Sequence, residues 1–383
     1  MSDYTNEIED LLGQASALEH GPAKVALIEE AVRLADLHND GQTGFDTRLE
    51  LIEAATFAGQ PDLTLVTFSW CLSQCDRDPE VFPESELLWK YKWVIDELPL
   101  FPQVSREQID KMLADMTERY QRAGSTLHAL GSMRRAVAIV LGDRALAEAG
   151  HKQLEQTRRD WLSNCSACVA DGTIEHYLFL GQYREALAAA RPILKGHQTC
   201  AEVPHRTYAT LLEPLLRTGQ LEEAMEYHVK GYRMIARNPK FISQIAKHLT
   251  FLALTDNLPR AVKMLEKHLP FALKTTGLAW QFDFYLAGLL LLERLHEQGR
   301  QQIRLRLPEQ LPQGERGRVA TSELAGWFRT QCQDLAGKFD ARNGNDWFSR
   351  RLAEIQDLKK LVMPHPLPGA RKAGDQDSSE LGE

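Results

Sequence analysis

Residues 177–194 read YLFLGQYREALAAARPIL, with Gly181 between two runs of apolar periodicity. Its core, GQYREA at 181–186, returns as GQLEEA at 219–224. DNLPRA at 256–261 is a weaker copy, GDRALA at 142–147 and GPAKVA at 21–26 are looser, and GQPDLTL from Gly59 is degenerate. The copies start at 21, 59, 142, 181, 219 and 256, at intervals of 38, 83, 39, 38 and 37. The interval of 83 leaves room for two repeats, and the missing copy is placed near Ser105, in SREQIDKML. A glycine between two helices supplies the tight turn, and a small alanine in the second helix lets the pair approach closely. The pattern predicts an array of helix pairs, each stacked on its neighbours.

The rest of the chain agrees. RTYATLLEPLLRTG and LEEAMEYHVKGYRMI carry apolar residues at spacings of three and four, and no run of alternating β-branched residues occurs. An all-α fold is expected. YLFLGQYREALAAARPIL and LLEPLLRTGQLEEAMEYHVKGY (211–232) resemble tetratricopeptide repeats, and the resemblance extends over roughly residues 10–270. It implies a right-handed α-solenoid of antiparallel helix pairs. The period exceeds the family's usual length of about 34. Pro192 and Pro214 fall inside predicted helices, where each removes a backbone bond and kinks the helix.

Three regions are expected: helical repeats over 1–270, a helical C-terminal cap over 271–363, and a disordered tail over 364–383. Helical signal at 275–298 and 320–362 flanks a loop, LRLPEQLPQGERGR. The tail, PHPLPGARKAGDQDSSELGE, has few bulky apolar residues.

Composition narrows the function classes. The chain has 383 residues, 43% hydrophobic and 26% charged, with a net charge of -8. That balance speaks against nucleic acid as the partner. MSDYTNEIEDLL has no basic region ahead of an apolar run, and LAGLLLLERL at 286–295 is too short to span a bilayer. No membrane partner and a cytoplasmic location are expected, with the six cysteines as thiols or metal ligands.

NCSACVADG (164–172) places Cys165 and Cys168 at the start of a helix predicted over 167–180. One repeat on, GHQTCAEVPHRTYATLL holds Cys200 and His205, with Pro204 suited to a first helical turn. The period of 38 maps His205 onto position 167, between Ser166 and Cys168. Cys165, Cys168, Cys200 and His205 therefore belong to equivalent corners of neighbouring repeats. Three thiolates and one imidazole make a closed tetrahedral set, as structural zinc requires, and helix N-termini favour thiolates. Half-buried packing, a redox dithiol and a catalytic zinc are the alternatives. His176 is a weaker ligand candidate, eight residues and about 12 Å along the helix from Cys168. Cys71 and Cys75 share one helix face without a second pair, and Cys332 is alone; all three read as core.

The concave face of such an array is its usual binding surface. Six residues before Gly59, Gly181 and Gly219 stand Glu53, Glu175 and Glu213; thirteen before stand Asp46, Cys168 and Arg206. With Asp171, these residues outline an acidic groove for a basic or amine-bearing segment; a solvated helix face is the alternative. ESELLWKYKWVIDEL (84–98) reads as a buried helix anchored by Trp89 and Trp93, or as a stacking platform with Lys90.

No GxSxG, P-loop, GxGxxG or HExxH motif occurs. The expectation is a non-enzymatic scaffold that binds a protein or peptide and carries a structural zinc. The alternatives are a sensor that changes curvature on binding a peptide, and an enzyme built on Asp340, Arg342, Asn343 and Asp346 in FDARNGNDWFSRR.

Overall fold

The computed structural model describes residues 3–309, 311–312 and 317–367. The fold is all-α and solenoid-like. Its helices follow one another as α1 (Asp3–Ser16), α2 (Pro22–Leu37), α3 (Gly41–Ala58), α4 (Pro61–Arg77), α5 (Ser85–Glu97), α6 (Arg106–Arg122), α7 (His128–Leu141) and α8 (Arg144–Gln156). They continue as α9 (Ser166–Phe179), α10 (Tyr183–Leu194), α11 (His205–Thr210), α12 (Leu212–Arg217), α13 (Leu221–Ile235), α14 (Ile242–Leu254), α15 (Leu258–Lys274) and α16 (Leu278–Glu297). Beyond a two-stranded ribbon come α17 (Thr321–Asn343), α18 (Trp347–Ala353) and α19 (Ile355–Lys359). Helices α3, α5, α7, α9, α11, α14 and α16 pack side by side in chain order, and the alternate helices cover them.

The turns explain the sequence pattern. Gly59, Gly142, Gly181 and Gly219 take φ of 74°, 69°, 75° and 75°, each two residues before the next helix. Left-handed backbone there is natural only for glycine and a few polar residues. In the weaker copy the same position is Asp256, with φ 54°. Gly21 differs: its φ of 169° is extended, and it simply precedes Pro22 at the start of α2. The pair missing from the sequence pattern is α5–α6, and Ser105 caps α6 through a reciprocal box with Gln108.

The prolines act unequally. Pro214 has no N–H to bond the Thr210 carbonyl, and the helix breaks at Leu211 into α11 and α12. Pro192 is carried inside α10, which runs on to Leu194. The loop expected after residue 300 contains a short antiparallel ribbon, β1 (Gln302–Arg304) with β2 (Arg318–Ala320), pairing Ile303 with Val319. Helix α5 is anchored by Leu87, Leu88, Tyr91, Val94 and Ile95 rather than by its tryptophans; Trp89 is 40% exposed. Cys71, Cys75 and Cys332 lie in the core, where burial raises their thiols to about 12, 11 and 12.

The core runs without interruption across residue 270, from Leu100 to Leu367. The region expected as a cap continues the array, since α16 packs on α14 and pairs with α17. Residues 364–367 of the expected tail are held in place. The His365 amide donates to the Thr255 carbonyl at 3.1 Å, and the buried Leu367 amide donates to Asn257 Oδ1 at 2.9 Å. Residues 368–383, the rest of that tail, lie outside the described residues.

Curvature brings distant repeats together. Asn238 Nδ2 donates to the Phe57 carbonyl at 3.2 Å, and Lys240 Nζ lies 4.4 Å from the Phe57 ring centroid. Thr276 Oγ1 donates to Asp62 Oδ1 at 2.7 Å. A Cβ on Gly59 would meet the Lys240 backbone at 2.7 Å. At the other end, Arg342 donates to the carbonyls of Pro99, Phe101 and Val104 at 3.0, 3.1 and 3.3 Å. Asp340 caps α18 by accepting from the Phe348 and Ser349 amides at 2.8 and 3.0 Å. Asn343 Oδ1 accepts from Arg342, and Asp346 pairs with Arg350. Asp340 thus joins α17 to α18 and Arg342 ties α17 to residues 99–104, while Asn343 and Asp346 have only local partners among the described residues.

Candidate metal centre and the charged recess beside it

Cys165 is the N-cap of α9, and its sulfur accepts from the Cys168 amide at 3.3 Å. Cys200 lies in the connector between α10 and α11, which turns back on itself through a 3.0 Å bond from the Cys200 amide to the Val203 carbonyl. The stacking of neighbouring pairs closes the gap. The three sulfurs lie within 4.8 Å of one another, and Cys168 Sγ is 3.5 Å from Cys200 Sγ.

The environment separates the three thiols. Cys200 is lowered, because Cys168 shares a hydrogen bond with it and the Glu202 and Val203 amides point at its sulfur. Cys168 is raised by the same bond and by burial. Behind them sits Lys92, 2% exposed, donating to the Leu162 carbonyl at 2.7 Å, with Nζ 3.2 Å from the Trp89 ring centroid. Burial lowers Lys92 to about 7, against the opposing pull of Asp160, Cys168 and Cys165. The three clustered sulfurs could hold a metal ion.

His205 stands outside this cluster. Its ring faces Phe241, 6.2 Å between centroids, and its Nδ1 is buried without a hydrogen-bond partner. His176 is also elsewhere: it stacks on His151 at 4.3 Å, and burial lowers it to about 4.

Of the expected groove residues, three come together. Arg206 lies 3.4 Å from Asp171, 3.5 Å from Glu175 and 3.5 Å from Glu202. Glu202 also pairs with Lys240, and Thr207 Oγ1 donates to Asp171 Oδ1 at 2.6 Å. Burial raises Asp171 to about 6 even beside Arg206. Burial also works against the ionised forms of Glu175 and Glu202, but the cations win: Arg206 and Lys247 lower Glu175, and Lys240 and Arg206 bring Glu202 to about 2. The other three are apart. Glu53 pairs with Lys90 at 3.6 Å and Glu213 with Arg217 at 2.7 Å, while the exposed Asp46 accepts from Gln42 at 3.2 Å. Each glutamate of the recurrent position thus has a basic neighbour.

Several site residues have no signal in the repeat pattern. Asp96 and Glu97 end α5 and complete the recess with Glu202 and Lys240. Crowding by surrounding protein atoms strips hydration from both carboxyls and raises them, Glu97 to about 8, and Glu97 Oε2 is buried without a partner. Asp96 remains exposed although Arg206, Glu175, Lys240 and Glu202 all act on it. A charged pair wedged between the apolar runs WVI and LPLF was the one available hint, and Lys92, on the same helix, had none.

Fold and site together define an all-α, solenoid-like protein with a three-cysteine cluster able to hold a metal ion. No protein-family model matches the chain, and a search of curated proteins finds no similar sequence.

Proposed function

We propose that this chain is a non-enzymatic, cytoplasmic scaffold of tetratricopeptide-like repeats that binds a protein or peptide segment in the recess beside the inner helices. The observation that carries this reading is the recess itself. Asp96, Glu97, Asp171, Glu175 and Glu202 gather around Arg206 and Lys240, with Asp96 still open to solvent. A lysine or arginine side chain entering there would meet the carboxyl groups of Asp96 and Glu175 at the mouth of a partly desolvated recess, where charge-assisted bonds gain strength. The test is calorimetric titration of the full chain with a penta-lysine peptide at low salt. Binding weakened about tenfold by Asp96→Asn or Glu175→Gln, a loss of about 1.4 kcal/mol, supports the reading. No heat of binding, or equal affinity in both variants, removes it.

We further propose that the metal is zinc and that it fixes α9 to the connector ahead of α11. Soft sulfur donors support this choice, and His205, whose Nδ1 is buried without a partner, would have to turn its ring away from Phe241 to become the fourth ligand. Elemental analysis of protein purified without an immobilised-metal column should find about one zinc per chain, lost in Cys168→Ser. Iron or copper in its place reassigns the site. Metal-free wild type ends the metal reading and leaves the recess untouched.

A further inference from the structure

Helices α13 and α15 are the covering helices of neighbouring pairs, and a groove of about 350 Å³ runs between them. That is at the small end of the range for small-molecule sites, about 300–1,000 Å³. Its floor is apolar: Leu252, Met264 and Leu367 are buried, and Val229 stands at the edge, 54% exposed. Its rim is cationic, formed by Arg233, Arg260, Lys263 and Lys267. No carboxylate lines it among the described residues.

Several lysines elsewhere are compensated locally: Lys111, Lys230, Lys338 and Lys360 each pair with an acid one turn away. Lys263 and Lys267 are themselves one turn apart on one helix face. Like charges at this spacing repel. Among the described residues neither lysine forms a salt bridge, and nor does Arg233 across the groove; Lys267 Nζ reaches only the Tyr232 hydroxyl, at 3.5 Å. His228 adds a ring to the lining but no charge, since burial lowers it to about 4. An anion in the mouth would relieve the repulsion. The floor of Leu252, Met264 and Leu367 offers nothing to a bare ion.

We propose that this groove binds an amphiphilic anion, an apolar chain carrying a carboxylate or phosphate. Its chain would lie on Leu252, Met264 and Leu367 and its head among Lys263, Lys267 and Arg233. The proposal is independent of the recess and of the metal.

Calorimetric titration of the full chain tests it with four probes below micelle-forming concentration: dodecanoate, dodecyl phosphate, dodecanol and inorganic phosphate. One of the two amphiphilic anions is expected to bind at one per chain, at least tenfold more tightly than dodecanol or inorganic phosphate, and the preferred head identifies the ligand's source. Lys263→Glu with Lys267→Glu should weaken it at least tenfold with an unchanged melting temperature. Val229→Glu, at an exposed edge position, should do the same and guards against a misfolded double variant. Equal binding of inorganic phosphate and dodecyl phosphate would reduce the groove to an ion site and overturn the proposal. Equal binding of dodecanol, no binding of either anion, or full affinity in both variants overturns it as well.

Discussion

Acid sensitivity at a single buried histidine follows from the structure. His268 is fully buried in α15; its Nε2 shares a 2.9 Å hydrogen bond with the Tyr232 hydroxyl, and its Nδ1 has no partner. Burial lowers it from 6.5 to about 4, with Lys267 adding to the effect. Between those values the unfolded chain carries a proton that the folded chain refuses. The unfolded state binds more protons, so this residue's contribution to stability is fully present above pH 6.5 and falls as the pH drops towards 4. From pH 7 to pH 5 the loss is about 2 kcal/mol. A glutamine in its place would keep a hydrogen-bonding group for Tyr232 and has nothing to titrate. His268→Gln is therefore expected to cost stability at pH 7, and the gap to wild type should close by about 2 kcal/mol at pH 5. Urea unfolding at both pH values measures the two differences, and comparing differences cancels every other titrating group. A gap independent of pH, or one that widens in acid, would refute a neutral, proton-excluding His268. His228 and His248, 3.1 Å apart and also lowered by burial, should add to the wild-type acid sensitivity in the same direction.

Glu97 carries the opposite sign. Its folded value of about 8 lies above the unfolded 4.5, so its stabilising proton is lost as the pH rises through 8. Relative to wild type, Glu97→Gln should gain about 2 kcal/mol on going from pH 5 to pH 7; a loss would contradict the buried neutral carboxyl. Gly59 and Gly219 share nearly the same φ, 74° and 75°, but only Gly59 faces backbone, that of Lys240. Gly219→Ala should cost about 1 kcal/mol in urea unfolding, and Gly59→Ala about 2 kcal/mol more, since neither backbone can give way easily. Equal costs would mean that the 57–62 turn and residue 240 do not touch in solution. Arg342→Met removes the donor shared by the carbonyls of Pro99, Phe101 and Val104, leaving that of Phe101 with only the Val104 amide. An expected loss of about 3 kcal/mol is read from the urea midpoint, and a change under about 0.5 kcal/mol would show that α17 does not fasten the middle of the array.

The difference between what was legible and what was not has a physical origin. A repeat is a nearest-neighbour property. Its glycine turns follow from a local backbone need, and so Gly181 and Gly219 announce α9–α10 and the α11–α13 pair directly. The meeting of Cys165 and Cys168 with Cys200 is legible for the same reason, because one period separates equivalent corners of adjacent pairs. The direction of a side chain is not periodic. His205 falls in the right register, but its ring turns to Phe241, an apolar partner that no spacing rule marks. The broken helix at Leu211 required knowing that Pro214, unlike Pro192, would not be carried through.

Curvature lies a step further from the sequence. Each pair is rotated slightly against the last, and only the sum over several pairs decides whether residue 57 meets residue 238. That sum sets Asp96 near Arg206 and Glu97 near Lys240. A search by period finds Glu53, Glu175 and Glu213 as equivalents, yet equivalence along a curved array is not proximity. Glu175 shares its surroundings with Asp96, two pairs away, whereas Glu213 pairs with Arg217 on its own helix. The charges that meet in the recess are those brought together by accumulated rotation, and so the binding surface of such an array is a property of its superhelix more than of its repeat.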